Sequence, residues 1–275
     1  MIRGWWDRVR PRVIVSTKRQ PQPQSTGSRD KIAVPTAREM ATILSVPTVL
    51  WLVYFLLQPV SDAWRRLGYL RESVAARAPA ARVAPEPFAA HADLWHELTR
   101  LSHALIHQPS STHAHVLGNV LLIALLAWAL LSVLTALGRR SLFVFAYWEL
   151  VVVAPVVGSF AFDHLGRTPH GYGASTIGFA FLGIVAVVSL VVLADTLVGC
   201  LARRLVKATT RRDGGSSVDP LFAGLLLLSA AVVIVSDLLA ASPATPVHQA
   251  GALFGGLIGV LITTFGNRLR LVMSV

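Results

Sequence analysis

Long apolar blocks separated by short polar segments dominate the chain. Six such blocks occur, at about residues 41–60, 115–137, 142–162, 174–199, 220–239 and 247–266. Each block approaches the roughly 20 residues that an α-helix needs to cross the hydrocarbon core of a bilayer. The pattern therefore predicts an all-α polytopic membrane protein, built as a bundle of six transmembrane helices.

The segments outside the blocks define the rest of the organisation. Residues 1–40 form a basic tail of low apolar content, which we expect to be largely disordered. Trp5 and Trp6, flanked by arginines, also allow this tail to lie on a membrane surface. The tail has no continuous apolar stretch before a small-residue cleavage site, so we expect no cleavable signal peptide. The membrane domain then covers residues 41–266, and residues 267–275 form a short C-terminal segment.

A loop at residues 61–112 joins the first two blocks and is longer than a simple connector. Its first part, around residues 75–87, is rich in Ala, Pro and Arg, and we expect it to be irregular. Its second part, residues 93–107, mixes apolar and polar residues at helical spacing. That spacing predicts a helix lying on or in the membrane interface.

Composition and charge agree with a membrane protein and orient it. Only 14% of the 275 residues are charged, against about a quarter in a soluble domain. The net charge is +11, but the basic residues lie between apolar blocks, which favours lipid headgroups over nucleic acid as the partner. With a cytoplasmic N-terminus, 18 Lys and Arg fall on the cytoplasmic side and 7 on the outer side. This asymmetry predicts a cell-membrane protein with both termini in the cytoplasm.

Three sets of polar residues interrupt the apolar blocks, each at the outer end of a predicted helix. His115 and Asn119 lie four positions apart at the start of the second helix and share one face. Ser175 begins the fourth helix, where free N–H groups and the helix dipole favour a developing anion. His248 begins the sixth helix, ahead of Gly251. A serine, a histidine base and donors for an oxyanion are the parts that acyl transfer requires.

These motifs resemble those of the rhomboid family of intramembrane serine proteases, over about residues 94–262. That family has a Gly-x-Ser-Gly serine on its fourth helix, a histidine before small residues on its sixth helix and a His-x-x-x-Asn pair on its second helix. The corresponding sequences here are Gly173-Ala174-Ser175, His248-x-x-Gly251-x-x-x-Gly255 and His115-x-x-x-Asn119. A run containing Arg100, His103 and His107 also looks like the family's segment before the second helix.

The resemblance implies an intramembrane endopeptidase that works with a Ser–His dyad and no cofactor. Ser175 would be the nucleophile and His248 the general base, with His115, Asn119 and the Ser175 backbone N–H binding the oxyanion. Phe179, one turn after Ser175, would stack on His248 and hold its ring. Supporting roles would fall to Gly173, Gly251, Gly255, Arg100, His103 and His107. The implied substrates are single-span or multi-span membrane proteins, cut near the outer face of the bilayer.

Thr176 is the main departure from the family pattern, because a second glycine normally follows the serine. We expect its β-branched side chain to add bulk where the backbone and the substrate must approach closely. This departure leaves an alternative function open, that of a rhomboid-like protein that binds transmembrane helices without cutting them.

Other titratable residues suggest further alternatives. Glu149, Asp195 and Asp237 lie within apolar blocks, as functional carboxylates of a transporter do, but the sequence has no paired broken helices. Asp237 is near enough to orient His248, yet we expect structural roles for all three carboxylates because the family uses a dyad. His103 and His107, with His91 or His96, offer a weaker metal-site interpretation. Hydrogen bonding of the loop to the bundle is the preferred interpretation, and no metal is predicted.

Overall fold

Helices make up almost all the regular structure of the computed structural model, which describes residues 33–57, 66–79, 84–107, 113–171, 173–205 and 220–273. Within these ranges, six helices are long and apolar enough to cross a membrane. They are α1 (Ala37–Leu57), α4 (His113–Ala136), α5 (Phe143–Leu165), α6 (Ser175–Leu205), α7 (Pro220–Ala240) and α8 (Thr245–Met273). The chain is therefore a multi-pass membrane protein, and the predicted all-α six-helix architecture is confirmed.

Two predicted boundaries shift because the helices extend beyond their apolar blocks. Helix α1 begins at Ala37, inside the segment assigned to the tail, and most of that tail lies outside the described residues. A capping box explains this start, because the Glu39 N–H donates to Thr36 Oγ1 and the Thr36 N–H donates to Glu39 Oε2. At the other end of the chain, α8 continues to Met273, through the segment expected to be a separate C-terminus.

The loop before α4 is more ordered than its composition predicts. It contains β1 (Tyr69–Leu70), α2 (Glu72–Arg77), a 3-10 turn at Glu86–His91, and α3 (Ala92–Ser102), which a second 3-10 turn extends over His103–Leu105. Helix α3 confirms the expected loop helix. The region expected to be irregular overlaps the end of α2 and the start of the first 3-10 turn, and that prediction is wrong at these overlaps. Residues 84–85, just before the turn, have no regular structure, as expected. Strand β1 pairs antiparallel with β2 (His170–Gly171), which follows α5.

The β1–β2 pair and several hydrogen bonds place the loop at one end of the bundle. Helices α1, α5 and α7 end here, and α4, α6 and α8 begin here; we call this the loop end. The Gly173 N–H donates to the His103 carbonyl oxygen at 3.0 Å, joining the loop directly to the start of α6. Gly173 has φ +97°, a backbone conformation that glycine adopts without a steric cost.

Arg100 fastens α3 to the bundle at the loop end. Its guanidinium donates to Asp163 Oδ2 on α5 at 2.9 Å and to Glu97 Oε2 at 2.8 Å. The same group lies 4.7 Å from the centre of the Tyr69 ring, and the Tyr69 hydroxyl donates to Asp163. Burial opposes the charge, but the hydrogen bonds to both carboxylates outweigh it and raise the pKa of Arg100. The supporting role expected for Arg100 therefore has a structural basis in this ion-pair network.

Candidate functional site

Helices α6 and α8 pack backbone to backbone at the loop end. A Cβ atom added to Gly251 would lie 2.6 Å from the Thr176 carbonyl oxygen, and one added to Gly255 would overlap the Ala180 carbonyl group. Both glycines thus permit the close approach of helices that their spacing predicts. The contact sets the first turn of α6, which starts with Ser175, directly beside the first turns of α8, which carry His248.

The His248 ring is held between two neighbouring helices. On one side it stacks on Phe179 of α6, with ring centroids 4.3 Å apart and planes 6° apart. At its edge, ring atom Nδ1 lies 2.6 Å from Asp237 Oδ1 at the end of α7. The expected aromatic contact is therefore present. The carboxylate contact matches the orienting role that the sequence suggests for Asp237 and ranks below a structural one.

The hydrogen bond to Asp237 engages Nδ1 of the His248 ring and leaves Nε2 as the ring nitrogen that can accept a proton. An ionised Asp237 only accepts hydrogen bonds, which favours the proton on Nδ1 and leaves Nε2 unprotonated. Among the described residues, no hydrogen bond joins the Ser175 hydroxyl to His248. Such bonds are often long before substrate binds, and a separation within about 4 Å remains our prediction.

A small cavity opens beside Ser175. Its volume is about 180 Å³, and its lining includes Ser175, Thr176, Gly158, His103 and Val247. The cavity is smaller than the roughly 300 Å³ at which sites for whole small molecules begin. It therefore suits water and one side chain of a longer ligand. A larger groove of about 660 Å³, between α1 and α5 at the opposite end of the bundle, includes none of the predicted site residues.

The β-branched side chain of Thr176 is packed inside the helix bundle. This side chain is only 1% exposed and lies between α5 and α8, where a Cβ added to Gly158 would come within 2.8 Å of Thr176 Cγ2. Gly251 makes room on the opposite side, with its built Cβ 3.2 Å from the same methyl group. Glycines on two neighbouring helices thus accommodate the threonine within the bundle. The effect of the threonine on the approach of a substrate stays a prediction.

The oxyanion candidates lie at the level of Ser175 on the neighbouring helix α4. A Cβ added to Gly178 of α6 would lie 3.0 Å from Leu122 of α4, and both helices run inward from the loop end. Asn119 lies three residues before Leu122, and Ser175 lies three residues before Gly178. The two residues are therefore at the same depth along their helices. The buried Asn119 amide lies 3.1 Å from His107 Nε2 and 3.4 Å from His115 Nε2. His107 thus supports the position of Asn119, a contact that the sequence spacing does not reveal.

The suggested metal set is not assembled. His103 Nδ1 bonds to the Thr99 carbonyl oxygen at 3.0 Å, and His107 bonds to Asn119. Across the described part of the chain, the cluster with metal-ligand spacing is instead Glu72, His96 and Glu97. Its donor atoms are already engaged, because Glu72 accepts from His96 and Arg100. The cluster is thus explained by the ion pairs that fasten α3.

Two buried histidines beside the site make stability depend on pH. Burial lowers the pKa of His103 to about 4 from an ordinary 6.5, and burial and nearby His115 do the same for the pKa of His107. Between these pH values the unfolded chain binds protons that the folded protein does not. The free energy of unfolding should therefore fall as the pH is lowered from 6.5 to 4, by about 1.4 kcal/mol for every tenfold difference in proton affinity between the folded and unfolded states.

Denaturant unfolding in detergent at a series of pH values measures this dependence. His103→Asn keeps a donor for the Thr99 carbonyl oxygen but does not titrate, so it should flatten the pH dependence. Substitution of the exposed His91 by glutamine serves as the control and should leave the wild-type slope. Equal slopes for wild type and His103→Asn would show that His103 is not the buried titrating group.

The buried position of Thr176 leads to an expectation about stability. Thr176→Gly removes the whole packed side chain and places a flexible residue in the first turn of α6. It should destabilise the fold by about 1–3 kcal/mol. Thr176→Val, which keeps the shape, should stay closer to wild type. Thermal unfolding in detergent compares the three proteins. A glycine variant as stable as wild type would show that the threonine is not packed as described.

Fold and site together define a multi-pass membrane protein with a serine, a histidine and a carboxylate at one end of its helix bundle. No protein-family model and no curated protein sequence matches the chain.

Proposed function

We propose that the chain is a rhomboid-type intramembrane serine endopeptidase that cuts transmembrane segments of other membrane proteins. The observation that carries this proposal is the setting of His248, which stacks on Phe179 and bonds to Asp237 beside the helix that begins at Ser175. The two flanking contacts fix the ring and present one free nitrogen. A serine hydroxyl becomes an effective nucleophile when such a base accepts its proton.

The chemistry follows from this arrangement. Ser175 Oγ attacks the substrate carbonyl carbon while its proton passes to His248 Nε2. The imidazolium then gives that proton to the amine nitrogen as the C–N bond breaks, leaving an acyl ester on Ser175. Water, deprotonated by the same nitrogen, attacks the ester, and the proton returns to Ser175 Oγ as the C–O bond breaks. The cavity beside Ser175 supplies the space that this water needs.

The negative charge on the tetrahedral intermediate requires donors. The Ser175 backbone N–H, which has no intrahelical acceptor in the first turn of α6, is one of them. Asn119 supplies a second donor if its amide turns over. His107 Nε2–H then donates to Asn119 Oδ1, and the amide NH₂ is released from His107 and can donate to the oxyanion. His115, on the same face of α4, completes the proposed set.

The alternative function is that of a protein that binds transmembrane helices without cutting them. The observation in its support is that no hydrogen bond joins Ser175 to His248 in the ranges that the structure describes. Co-reconstitution with a single-span substrate in liposomes separates the two functions. Wild-type protein should release two fragments, and Ser175→Ala should release none while still binding the substrate. Ser189→Ala, a buried serine further along α6, is the control and should cut normally. Binding without cleavage by wild-type protein would favour the alternative.

We also propose that the loop end faces the outside of the cell, with both termini in the cytoplasm, on the basis of the charge asymmetry. In a Cys200→Ser background, His91→Cys should react with an impermeant maleimide on intact cells. Asp213→Cys should react only after permeabilisation. The reverse pattern would contradict the orientation and place the site on the cytoplasmic side.

A further inference from the structure

We infer that Asp237 is a positioning residue for the general base, so that this chain works with an Asp–His–Ser arrangement rather than a dyad. The inference rests on the proposed function and deepens it. Its basis is the 2.6 Å contact between Asp237 Oδ1 and His248 Nδ1. Both side chains are mostly buried, with 12% of the Asp237 side chain and 14% of the His248 side chain exposed.

The carboxylate is itself held in place. Its second oxygen, Oδ2, accepts a hydrogen bond of 3.0 Å from Gln249 Nε2, the residue after His248 on α8. Each carboxylate oxygen therefore has its own donor, one from the base and one from its neighbour. A carboxylate with both oxygens engaged keeps a defined orientation, and a hydrogen bond that pairs with an ionised acceptor is short and strong.

The contact does two things that stacking on Phe179 does not. It selects the Nδ1–H tautomer, because an ionised carboxylate only accepts hydrogen bonds, and Nε2 is thereby left unprotonated. It also stabilises the imidazolium formed when Nε2 accepts the Ser175 proton, because a negative charge then lies beside the new positive charge. These are the roles of the aspartate in soluble serine proteases, where its replacement by asparagine leaves the geometry intact but selects the wrong tautomer.

Other hydrogen bonds join α7 to α8, so this connection does not depend on the Asp237 carboxylate. The Thr245 hydroxyl donates to the Asp237 backbone carbonyl oxygen at 3.0 Å, and Gln249 Nε2 donates to the Ile234 carbonyl oxygen at 3.1 Å. Both bonds end on the backbone and persist when the Asp237 side chain changes. Asp237→Asn therefore keeps the connection between the helices, while it removes the charge at Nδ1 and the selection of the Nδ1–H tautomer.

The test compares Asp237→Asn with wild type in the liposome assay. We expect kcat to fall by about 10²–10⁴-fold, with KM and melting temperature near wild type. Thr245→Val, which removes a backbone tie and keeps the carboxylate, should retain kcat within about threefold, as a change limited to an uncharged hydrogen bond. NMR of protein labelled with ¹⁵N-histidine should show the Nδ1–H tautomer of His248 in wild type. In Asp237→Asn the ring should no longer be held in that tautomer.

The outcomes separate this inference from the function on which it rests. A wild-type protein that cuts, with a fully active Asp237→Asn variant, would overturn the inference alone. An Nε2–H tautomer of His248 in wild type would also overturn it. A wild-type protein with the Nδ1–H tautomer that neither cuts nor reacts with a serine-directed probe would instead contradict the proposed protease function.

Discussion

Replacing His248 with alanine should reduce cleavage of a single-span substrate by at least about 10⁴-fold, the scale of losses when a serine protease loses its base. The reason is that the Ser175 hydroxyl then keeps its proton at neutral pH. Neither described residue that contacts the ring could replace it as the base, because Phe179 is apolar and Asp237 contacts the ring from its far edge. Single-turnover cleavage in liposomes measures the chemical step separately from product release.

A histidine elsewhere at the loop end provides the control for this substitution. His164, exposed near the end of α5, should tolerate alanine with cleavage unchanged. The His164 variant should unfold near the wild-type temperature. Thermal unfolding of His248→Ala shows whether loss of the mostly buried ring also lowers stability, and cleavage is compared in the folded protein. If His248→Ala retained more than about a tenth of wild-type cleavage, a different base would have to act, since loss of a true base costs far more.

Alanine at Gly255 should have the largest effect on the fold. Its Cβ would overlap the Ala180 carbonyl group, so α6 and α8 would have to move apart. Their contact sets the helix that begins with Ser175 beside the helix that carries His248. Overpacking of a tight core typically costs about 1–3 kcal/mol and can cost more when backbone atoms must shift. We therefore expect a lower unfolding temperature in detergent and a large loss of cleavage in the protein that remains folded.

The neighbouring glycine is a matched control. A Cβ added to Gly256 would meet only Val187 Cγ2, at 3.7 Å, which is ordinary van der Waals contact. Gly256→Ala should be neutral or slightly stabilising, because alanine is favoured over glycine inside a helix by about 1 kcal/mol. Equal unfolding temperatures for the two alanine variants would contradict the close packing of α6 on α8.

The bundle could be predicted from the sequence because its physical cause is local. A run of about 20 apolar residues spans a bilayer whatever the rest of the chain does, so the six helices follow from hydropathy and length. The close approach that Gly251 and Gly255 permit also follows from their spacing along one helix. The expected stacking of Phe179 on His248 instead comes from the family resemblance. The two-residue strands β1 and β2 could not be predicted this way, since two residues carry no periodic pattern and the pairing joins distant parts of the chain.

The remaining features depend on which way a helix face points in three dimensions. Asp237 lies eleven residues before His248, across a short turn, and the sequence alone does not show whether it faces α8 or lipid. The sequence likewise does not show which way the Thr176 side chain points. Its position is understood only with the glycines opposite it on α5 and α8. Asn119 on α4 contacts His107 in the loop that precedes this helix. In each case the decisive partner is on another element, so the contact needs the assembled bundle.

Covalent labelling of Ser175 tests the central claim most directly. A fluorophosphonate reacts with an activated serine and adds a phosphonyl group of known mass, independently of any knowledge of the natural substrate. Purified wild-type protein in detergent should gain one such group, mapped by peptide mass spectrometry to Ser175, and Ser175→Ala should gain none. Absence of labelling in folded wild-type protein, or equal labelling of Ser175→Ala, would contradict an activated nucleophile at the start of α6.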